Sequence, residues 1–432
     1  MGTSLVWFRN NLRVQDNSPL TKAVASGKQV IGLYCFDPRQ FQIGDFGFKK
    51  TEKYRAQFLI ETVHNLKKNL NNLNITLIVT HERPEVTITE LIDRHNISEI
   101  YSQKEWTSEE NEVTIAVQKN INNVKHHTYY DQLLFHPEDI PFHTFRDIPE
   151  IFTQFRKKCE KESSVHALQE KLETLPSKNL LDEESKIPSL QELGLTTFNK
   201  DTRSAFPWKG GEDEAWNRLK DYFWNTKKLQ YYKKTRNGLV GEDYSSKLSA
   251  WLANGSISAR QIYWEVKKFE KEIISNQDTY WLIFELIWRD YFKYISLKHG
   301  DKIFKIGGIL DKEYKWGALQ KVQNQWINGN TSYDFVNANM IELKETGWMS
   351  NRGRQNVASF WAKEQQQDWR IGAAYFESVL IDYDVHSNWA NWMYNAGVGN
   401  DPRDRKFNIK RQQEMYDSNG KFVRLWTQNE LF

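Results

Sequence analysis

The sequence contains very little cysteine, and this scarcity excludes several kinds of protein. Cys35 and Cys159 are its only two cysteines in 432 residues, too few for a disulfide framework or for a four-thiolate zinc or iron–sulfur site. The N-terminal residues MGTSLVWFRNN lack the basic and apolar regions of a secretory signal. We therefore expect a cytoplasmic protein without a metal site.

Long hydrophobic runs are also missing. The most apolar segment, Trp281 to Trp288, is short and includes Glu285, whereas a membrane-spanning helix needs about 20 apolar residues. No membrane partner is expected. Lys and Arg total 59 against 56 Asp and Glu, so a nucleic-acid surface would have to be a local basic patch.

Aromatic residues, in contrast, are abundant. The chain has 17 Trp beside 19 Tyr and 24 Phe, and a large aromatic core accounts for most of them. Stacking on a base or a flavin, or electron transfer between indoles, is the more specific alternative, and composition leaves both open. The length predicts more than one domain.

The first 130 residues alternate short β-rich runs with amphipathic helical patterns such as 51–70. This alternation predicts a doubly wound parallel sheet, that is, an α/β domain. No G-x-G-x-x-G follows the first strand and no Walker sequence occurs, so a dinucleotide held in the Rossmann manner is not indicated. The candidate strands are Ser4–Phe8, Gln29–Phe36, Ile75–Thr80, Glu99–Gln103 and Val124–Tyr130.

The remaining chain has a different pattern. Residues 131–202 hold several prolines and a charged stretch, and they are predicted to form a connection that crosses the surface. From residue 203 to residue 432 long helical patterns predominate, which predicts a larger all-α domain. The expected organisation is therefore 1–130, 131–202 and 203–432.

A serine-rich segment, YSSKLSAWLANGSISAR, is a candidate anion site. Small hydroxyls, free backbone amides and a cation at the start of a helix suit a phosphate; an ordinary capped helix is the alternative. Tyr232 and Arg236, one helical turn apart, are placed to close the other side of such a site. The segment supplies Ser245, Ser246, Lys247 and Ser249.

The apolar segment YWLIFELIWRDYF places Glu285, Trp288 and Arg289 on one helical face. A carboxyl group in aromatic surroundings can have a raised pKa and donate a hydrogen bond. A plain Glu285–Arg289 surface pair is the alternative.

Two carboxylates follow in LIDYDVHSNWANWMY, namely Asp382 and Asp384. Nothing around them resembles a metal cage, so hydrogen bonds to a ribose or to Arg354 are expected. Asp384, Asn388 and Trp392 would share one stripe if the following residues are helical.

These segments together resemble the photolyase/cryptochrome family, and most closely its cryptochrome-DASH branch. The resemblance runs over nearly the whole chain, and so many ordered matches are very specific. The matching segments are VWFRNNLR, FGFKKTEKYRAQFL, KTRNGLVGEDYSSKLS, TYWLIFELIWRDYF, TGWMSNRGRQNVASF, LIDYDVHSNWANW and AGVGNDPR.

The resemblance implies an α/β antenna-type domain followed by a helical domain that holds FAD in a folded conformation. Asn388 would face the flavin N5, and Arg354 would pair with Asp382 beside the ring system. The residues carried over to FAD are Tyr232, Ser245, Ser246, Lys247, Leu248, Ser249, Arg289, Arg354, Asp382, Asp384 and Asn388.

The resemblance also implies repair of cyclobutane pyrimidine dimers in DNA by light-driven electron transfer. Trp392, Trp369 and Trp316 match the family's electron-transfer tryptophans. Glu285 would stabilise the charged dimer and Trp288 would stack on it. The other residues expected at the lesion are Asn351, Arg352, Gln355 and Tyr394.

Gln355 and Tyr394 stand where double-strand-specific relatives usually have Met and Trp, which implies a preference for single-stranded or looped DNA. Asn351 and Gln355 argue against a (6-4) photolyase, whose active site has histidines there. A folate-type antenna, methenyltetrahydrofolate, is the candidate second chromophore. Glu105 and Glu109 are its candidate ligands, with two surface glutamates at a helix start as the alternative.

Two functions remain open at this point. The leading hypothesis is an FAD-dependent deoxyribodipyrimidine photo-lyase that acts as a monomer on single-stranded DNA. The alternative is a blue-light photoreceptor that binds DNA or a protein partner with little or no repair. Retention of Glu285, Trp288 and Asn351 favours the lyase.

Overall fold

A computed structural model describes residues 2–121, 123–401 and 403–428. The last residues of the predicted helical domain, 429–432, lie outside the described residues. The N-terminal part is a five-stranded parallel sheet of order β3-β2-β1-β4-β5 with helices on both faces. The strands are β1 (Thr3–Trp7), β2 (Gln29–Cys35), β3 (Thr76–Thr80), β4 (Ile97–Gln103) and β5 (Lys125–Tyr129).

The central strands are apolar on both faces, as a sheet covered by helices requires. Leu5 lies opposite Ile31 of β2 and Ile100 of β4, and all three side chains are buried. From β1 the chain adds β2 and β3 on one side of the sheet and then β4 and β5 on the other side. The carboxyl ends of β1 and β4, where the order switches sides, therefore border a crevice. The predicted α/β class is confirmed.

The described residues after about residue 210 are mainly helical, as predicted for the C-terminal domain. Its largest core is a cluster of aromatic and aliphatic side chains centred on α10, the longest of these helices. The helices are α1 (Ser18–Ala25), α2 (Lys53–Asn71), α3 (Pro84–His95), α4 (Ser108–Asn120), α5 (Phe152–Glu162), α6 (Glu212–Lys220), α7 (Tyr232–Thr235), α8 (Ser249–Ala253), α9 (Ala259–Glu272), α10 (Gln277–His299), α11 (Gln320–Ile327), α12 (Asp334–Thr346), α13 (Asn351–Ser359), α14 (Trp369–Val379), α15 (Val385–Ala396), α16 (Ile409–Tyr416) and α17 (Lys421–Thr427).

The segment between the two domains, residues 131–202, contacts both of them. Its first part is buried with the helical core, through Leu134, Phe152 and Phe155. Its second part lies along the α/β domain, where the Asn179 side chain bonds both the N–H and the C=O of Val30. The domain limits 1–130, 131–202 and 203–432 stay a prediction.

Buried charges join the two domains. Arg13 from the α/β domain pairs with Asp131 at 2.6 Å, and Arg260 from α9 pairs with Asp131 and Asp16 at 3.0 Å each. All four side chains are nearly inaccessible to water. Buried ion pairs of this kind fix how the two domains meet, because a movement that separated a pair would leave a buried charge without a partner.

Candidate functional site

A cavity of about 410 Å³, here called the main cavity, opens among α7, α8, α10, α13 and the start of α15. It brings together segments that are far apart in sequence. The predicted cofactor residues on its walls are Tyr232, Ser245, Ser246, Lys247, Leu248, Ser249, Arg289, Arg354, Asp382 and Asp384. Asn388 lies just behind them.

The serine segment forms one wall of the main cavity. Helix α8 begins only at Ser249 and has five residues, so Ser245 and Ser246 lie in the preceding loop rather than at a long helix start. Leu248 is the N-cap and makes no side-chain cap bond, so the capped-helix alternative is wrong. No described residue bonds the hydroxyls of Ser245 and Ser246, which leaves them open to a ligand in the cavity.

Lys247 lies against two aromatic rings. Its backbone is left-handed, with φ of 62°, and its Nζ lies 3.2 Å from the Tyr244 ring centre and 4.8 Å from that of Trp348. Burial lowers the pKa of this ammonium well below its usual value, against the charge of Glu342. The Lys247 side chain lies against the aromatic rings of Tyr244 and Trp348, while the residue lines the same cavity as the serines; its role in binding the cofactor stays a prediction.

Arg354 and Asp382 form the ion pair expected from the sequence. One guanidinium nitrogen of Arg354 lies 2.9 Å from each carboxylate oxygen of Asp382, and Ser249 donates to the same carboxylate at 2.7 Å. The Nε of Arg354 donates to the Met349 carbonyl at 2.9 Å. These bonds hold the guanidinium plane at the cavity wall.

Asp384 is held by a buried lysine that sequence reasoning missed. Lys293, 1% exposed, donates to Asp384 at 2.8 Å and to Gln132 at 2.7 Å. Burial alone would raise the pKa of Asp384, but Lys293 and His386 outweigh it and hold the pKa far below its ordinary range. The only sequence signal is that Lys293 lies one helical turn beyond Arg289.

The Lys293 bond extends into a buried chain that crosses the domain boundary. Gln132 donates to Glu105 at 3.1 Å, and Gln103 at the end of β4 donates to the other Glu105 oxygen at 2.8 Å. Asp384 is thereby connected to the carboxyl end of the sheet. Both carboxylates of this hydrogen-bonded row, Asp384 and Glu105, accept hydrogen bonds, as buried charged groups require.

Asn388 and Trp392 lie behind the main cavity, where they line a small cavity of about 90 Å³. Asp384 caps α15 by accepting from Ser387 N–H at 2.8 Å, and this start places Asn388 one turn later. The Asn388 amide nitrogen donates to the Ala373 carbonyl at 3.0 Å. No described residue donates to its amide oxygen, which is therefore open to a ligand.

The three predicted electron-transfer tryptophans all lie near α14, and no ring contact between any two of them is found among the described residues; their role stays a prediction. Trp392 packs against the backbone of α14, where a Cβ on Gly372 would be 2.3 Å from its ring. Trp369, fully buried, begins that helix. Trp316 is partly exposed beside it, because the Gly317 backbone bonds Gln366 and Asp368.

Glu285 lies on the wall of the main cavity but does not pair with Arg289. Its partner is Arg236, at 2.9 Å, whereas Arg289 donates to the carbonyls of Gln132 and Leu252. The predicted alternative of a Glu285–Arg289 surface pair is therefore wrong. Burial raises the pKa of Glu285, and the charge of Arg236 opposes that rise.

Trp288 lines the same cavity and is held from behind by a ring that the sequence did not indicate. The Phe152 ring of α5 stacks on it, with ring centres 3.6 Å apart and planes 12° apart. Phe152 is buried, and no local pattern links residues this far apart. The stack fixes the orientation of the Trp288 indole in the cavity.

The remaining lesion candidates lie at the rim. Asn351, Gln355 and Tyr394 line the main cavity, and Arg352 lines an adjoining side cavity of about 210 Å³. Two of these rim residues bind an arginine: Gln355 accepts from Arg352 at 2.9 Å, and Tyr394 accepts from Arg405 at 3.3 Å.

The two antenna candidates line a separate interdomain cavity of about 450 Å³ at the carboxyl ends of β1 and β2. Glu109 is largely exposed and pairs with Lys50. Glu105 precedes α4 and is only 6% exposed, so the alternative of two surface glutamates is wrong for this residue. Tyr383 and His386 bring the helical domain to the same cavity.

No group of His, Cys, Asp and Glu suited to a metal ion lies within 2–121, 123–401 and 403–428. His386 instead bonds Ser296 at 2.7 Å and stacks on Trp106 at 4.8 Å. None of the described helices combines the length and apolar character that a bilayer crossing requires.

The main cavity suits a ligand that carries both an apolar part and phosphate groups. Its walls combine apolar side chains with the free hydroxyls of Ser245 and Ser246, and the guanidinium groups of Arg289 and Arg354 supply positive charge. Arginine and hydroxyl donors around a cavity are the groups that bind phosphate oxygens.

Comparison with known proteins agrees with this chemistry. Residues 4–177 match the DNA photolyase family, and residues 281–430 match the FAD binding domain of DNA photolyase. Cryptochrome DASH of Synechocystis is 47% identical over 98% of this chain and 87% of that protein. Cryptochrome DASH of Xenopus laevis is 45% identical over 97% and 81%.

Solved structures give the same relationship. A cryptochrome of Synechocystis superposes with a TM-score of 0.95 at 46% identity, over 99% of this chain and 88% of that one. A bacterial class III photolyase from Agrobacterium tumefaciens superposes with a TM-score of 0.82 at 25% identity, over 99% and 86%.

Proposed function

Because this chain belongs to the photolyase/cryptochrome family and to its cryptochrome-DASH branch, we propose that it splits cyclobutane pyrimidine dimers under blue light. Its preferred substrate in this proposal is single-stranded or looped DNA. The observation that carries the proposal is the meeting of two residue sets on one cavity. Glu285, Trp288 and Asn351 line the same cavity as the serine segment and the Arg354–Asp382 pair.

The C-terminal domain binds FAD, and FAD supplies light absorption and one-electron transfer when bound. In our proposal the hydroxyls of Ser245 and Ser246 and the positive charge of Arg289 bind its phosphates. The Arg354–Asp382 pair and the Asn388 amide hold the ring system. The free Asn388 oxygen can accept a hydrogen bond while its nitrogen stays fixed on Ala373.

Glu285 and Trp288 act on the dimer in this proposal. Trp288 offers a partly exposed indole face that Phe152 keeps in one orientation. Glu285 stabilises the negative charge that reaches the dimer by hydrogen bonding; burial raises the pKa of its carboxyl group, whereas the charge of Arg236 and a hydrogen bond from Trp281 lower it. Arg236 keeps the carboxyl group in place at 2.9 Å.

The proposed strand preference follows from the cost of exposing the dimer. A dimer in a duplex must be unpaired and turned out of the stack, which costs a few kcal/mol and is cheapest in a single strand. Gln355 and Tyr394 present polar atoms at the rim, and these atoms bind Arg352 and Arg405. A rim of this kind offers less apolar surface to offset the cost of unpairing.

The proposal is tested by following dimer loss in one sequence, presented as a single strand and as a duplex, under the same light. We expect faster loss from the single strand. Equal rates would remove the strand preference. Absence of loss in both, with flavin bound, would favour the photoreceptor alternative.

Replacement of Trp392 by phenylalanine should separate electron supply from repair. We expect light-driven reduction of the bound flavin to slow strongly, because Trp392 lines the small cavity with Asn388 and packs against Gly372 of α14. Repair by protein reduced beforehand should stay close to wild type. The measurements are flavin absorbance under illumination and dimer loss by chemically reduced protein.

The matched control is Trp251→Phe, which replaces another buried tryptophan in the same helical core. It should leave photoreduction unchanged. Equal loss of repair in Trp392→Phe, even after chemical reduction, would contradict the role assigned to Trp392.

The interdomain cavity is the proposed antenna site. In this proposal Glu105 and Glu109 border a folate-type chromophore such as methenyltetrahydrofolate. The support is their position on one cavity of about 450 Å³, which Tyr383 of the helical domain also borders.

A further inference from the structure

Helix α10 carries a row of aromatic rings that leads out of the main cavity. Trp281, Phe284 and Trp288 recur at a spacing of three and four residues, so they share one helical face. The rings of Trp281 and Phe284 are stacked, with centres 4.4 Å apart and planes 24° apart. Phe152 closes the row, 5.2 Å from Phe284 and 3.6 Å from Trp288. We call these four residues the aromatic stripe.

The stripe begins inside the cavity and ends outside it. Phe284 and Trp288 are on the cavity wall, whereas Trp281 is not. All three side chains of α10 are partly exposed, and Phe152 is buried beneath them. Phe152 thus connects Trp288, at the proposed dimer position, with Phe284 and with Trp281 outside the cavity.

Cationic side chains lie over two rings of the stripe. The Lys233 ammonium of α7 is 4.2 Å from the Trp281 ring centre, and the Arg156 guanidinium of α5 is 5.6 Å from that of Phe284. Arg156 is also bonded to Glu160 and Tyr280, whereas the side chain of Lys233 is exposed. Alternation of stacked rings and cations is the pattern by which proteins bind unpaired nucleotides.

We propose that Trp281 and Phe284 bind an unpaired nucleotide that adjoins the dimer on the damaged strand. The base stacks on the stripe and takes the place of the Lys233 ammonium, which then pairs with a backbone phosphate. This inference rests on the proposed function, because the dimer position defines where the strand leaves the cavity. It adds an attractive contact that only a single strand can make.

Base stacking and pairing within a duplex are the reason why only a single strand can make this contact. A nucleotide next to a dimer in double-stranded DNA stays paired and stacked, so turning it onto Trp281 costs additional unpairing free energy. In a single strand the same base is free, and stacking on an aromatic side chain is sequence-tolerant. The stripe therefore makes Trp281 and Phe284 residues that determine strand specificity.

The test measures binding of undamaged oligothymidylate, as a single strand and as a duplex with oligoadenylate, at one salt concentration. Trp281→Leu should weaken single-strand binding about tenfold, and Phe284→Leu should do the same. Duplex binding should stay near wild type. Flavin absorbance and the unfolding midpoint establish that each variant is folded.

Trp264→Leu is the matched control, because Trp264 is also a partly exposed tryptophan but lies on α9 and donates to the His166 carbonyl. It should not change single-strand binding. Unchanged single-strand affinity in both stripe variants, or an equal loss for duplex, would overturn the inference. Light-driven dimer loss by the wild-type protein is measured separately, so failure of the repair function remains distinguishable from failure of the stripe.

Discussion

Replacement of Lys293 by methionine is expected to lower the free energy of unfolding by about 3–5 kcal/mol. Methionine has a length similar to that of lysine but carries no charge. The Asp384 carboxylate, whose side chain is only 11% exposed, would therefore lose its cation. Flavin binding should weaken as well, because Asp384 lines the main cavity and caps α15. Denaturant unfolding and the flavin-to-protein absorbance ratio measure the two effects.

Two further variants show whether the effect arises from the unpaired charge. Lys293→Met combined with Asp384→Asn should recover much of the lost stability, because asparagine still caps a helix but carries no charge. Lys119→Met, at an exposed position on α4, should change the free energy of unfolding little. A Lys293→Met protein as stable as the wild type would contradict the account of this pair.

Replacement of Glu285 by glutamine is expected to lower the rate of dimer splitting by about a hundredfold, because the amide cannot transfer a proton and is a weaker donor to a developing charge than a carboxyl group. Glutamine keeps the size of the side chain but removes the carboxyl proton. Flavin content and binding of undamaged DNA should remain near wild type. Dimer loss under blue light, by protein reduced beforehand, is the measurement.

Glu272→Gln, at an exposed position on α9, is the matched control and should repair at the wild-type rate. If flavin content fell together with repair in Glu285→Gln, the residue would have a structural role through its pair with Arg236. Wild-type repair in Glu285→Gln would contradict a direct role for this residue at the dimer.

The fold was accessible from sequence to a large extent. The strand Ile75–Thr80 was predicted and Thr76–Thr80 is found, because short apolar runs between polar turns have few other solutions in a parallel sheet. The region 131–202 was less accessible. Its helix α5 packs on α10 through Phe152 and Phe155, and such packing depends on partners more than a hundred residues away.

The candidate site was accessible in part. The serine segment and the Arg354–Asp382 pair were recognisable because their residues form compact motifs. The direction of the Lys247 side chain was not, since its left-handed backbone turns the ammonium toward Tyr244. Lys293 was missed because one lysine on an apolar helix acquires meaning only from Asp384, 91 residues later.

The most direct test of the central claim is dimer splitting in a single-stranded oligonucleotide by the reduced, FAD-loaded protein, under blue light and in darkness. The account predicts loss of the dimer in the light and none in the dark. No loss in the light, by protein whose flavin is bound and photoreducible, would contradict it and would identify a photoreceptor that retains the repair cavity without its chemistry.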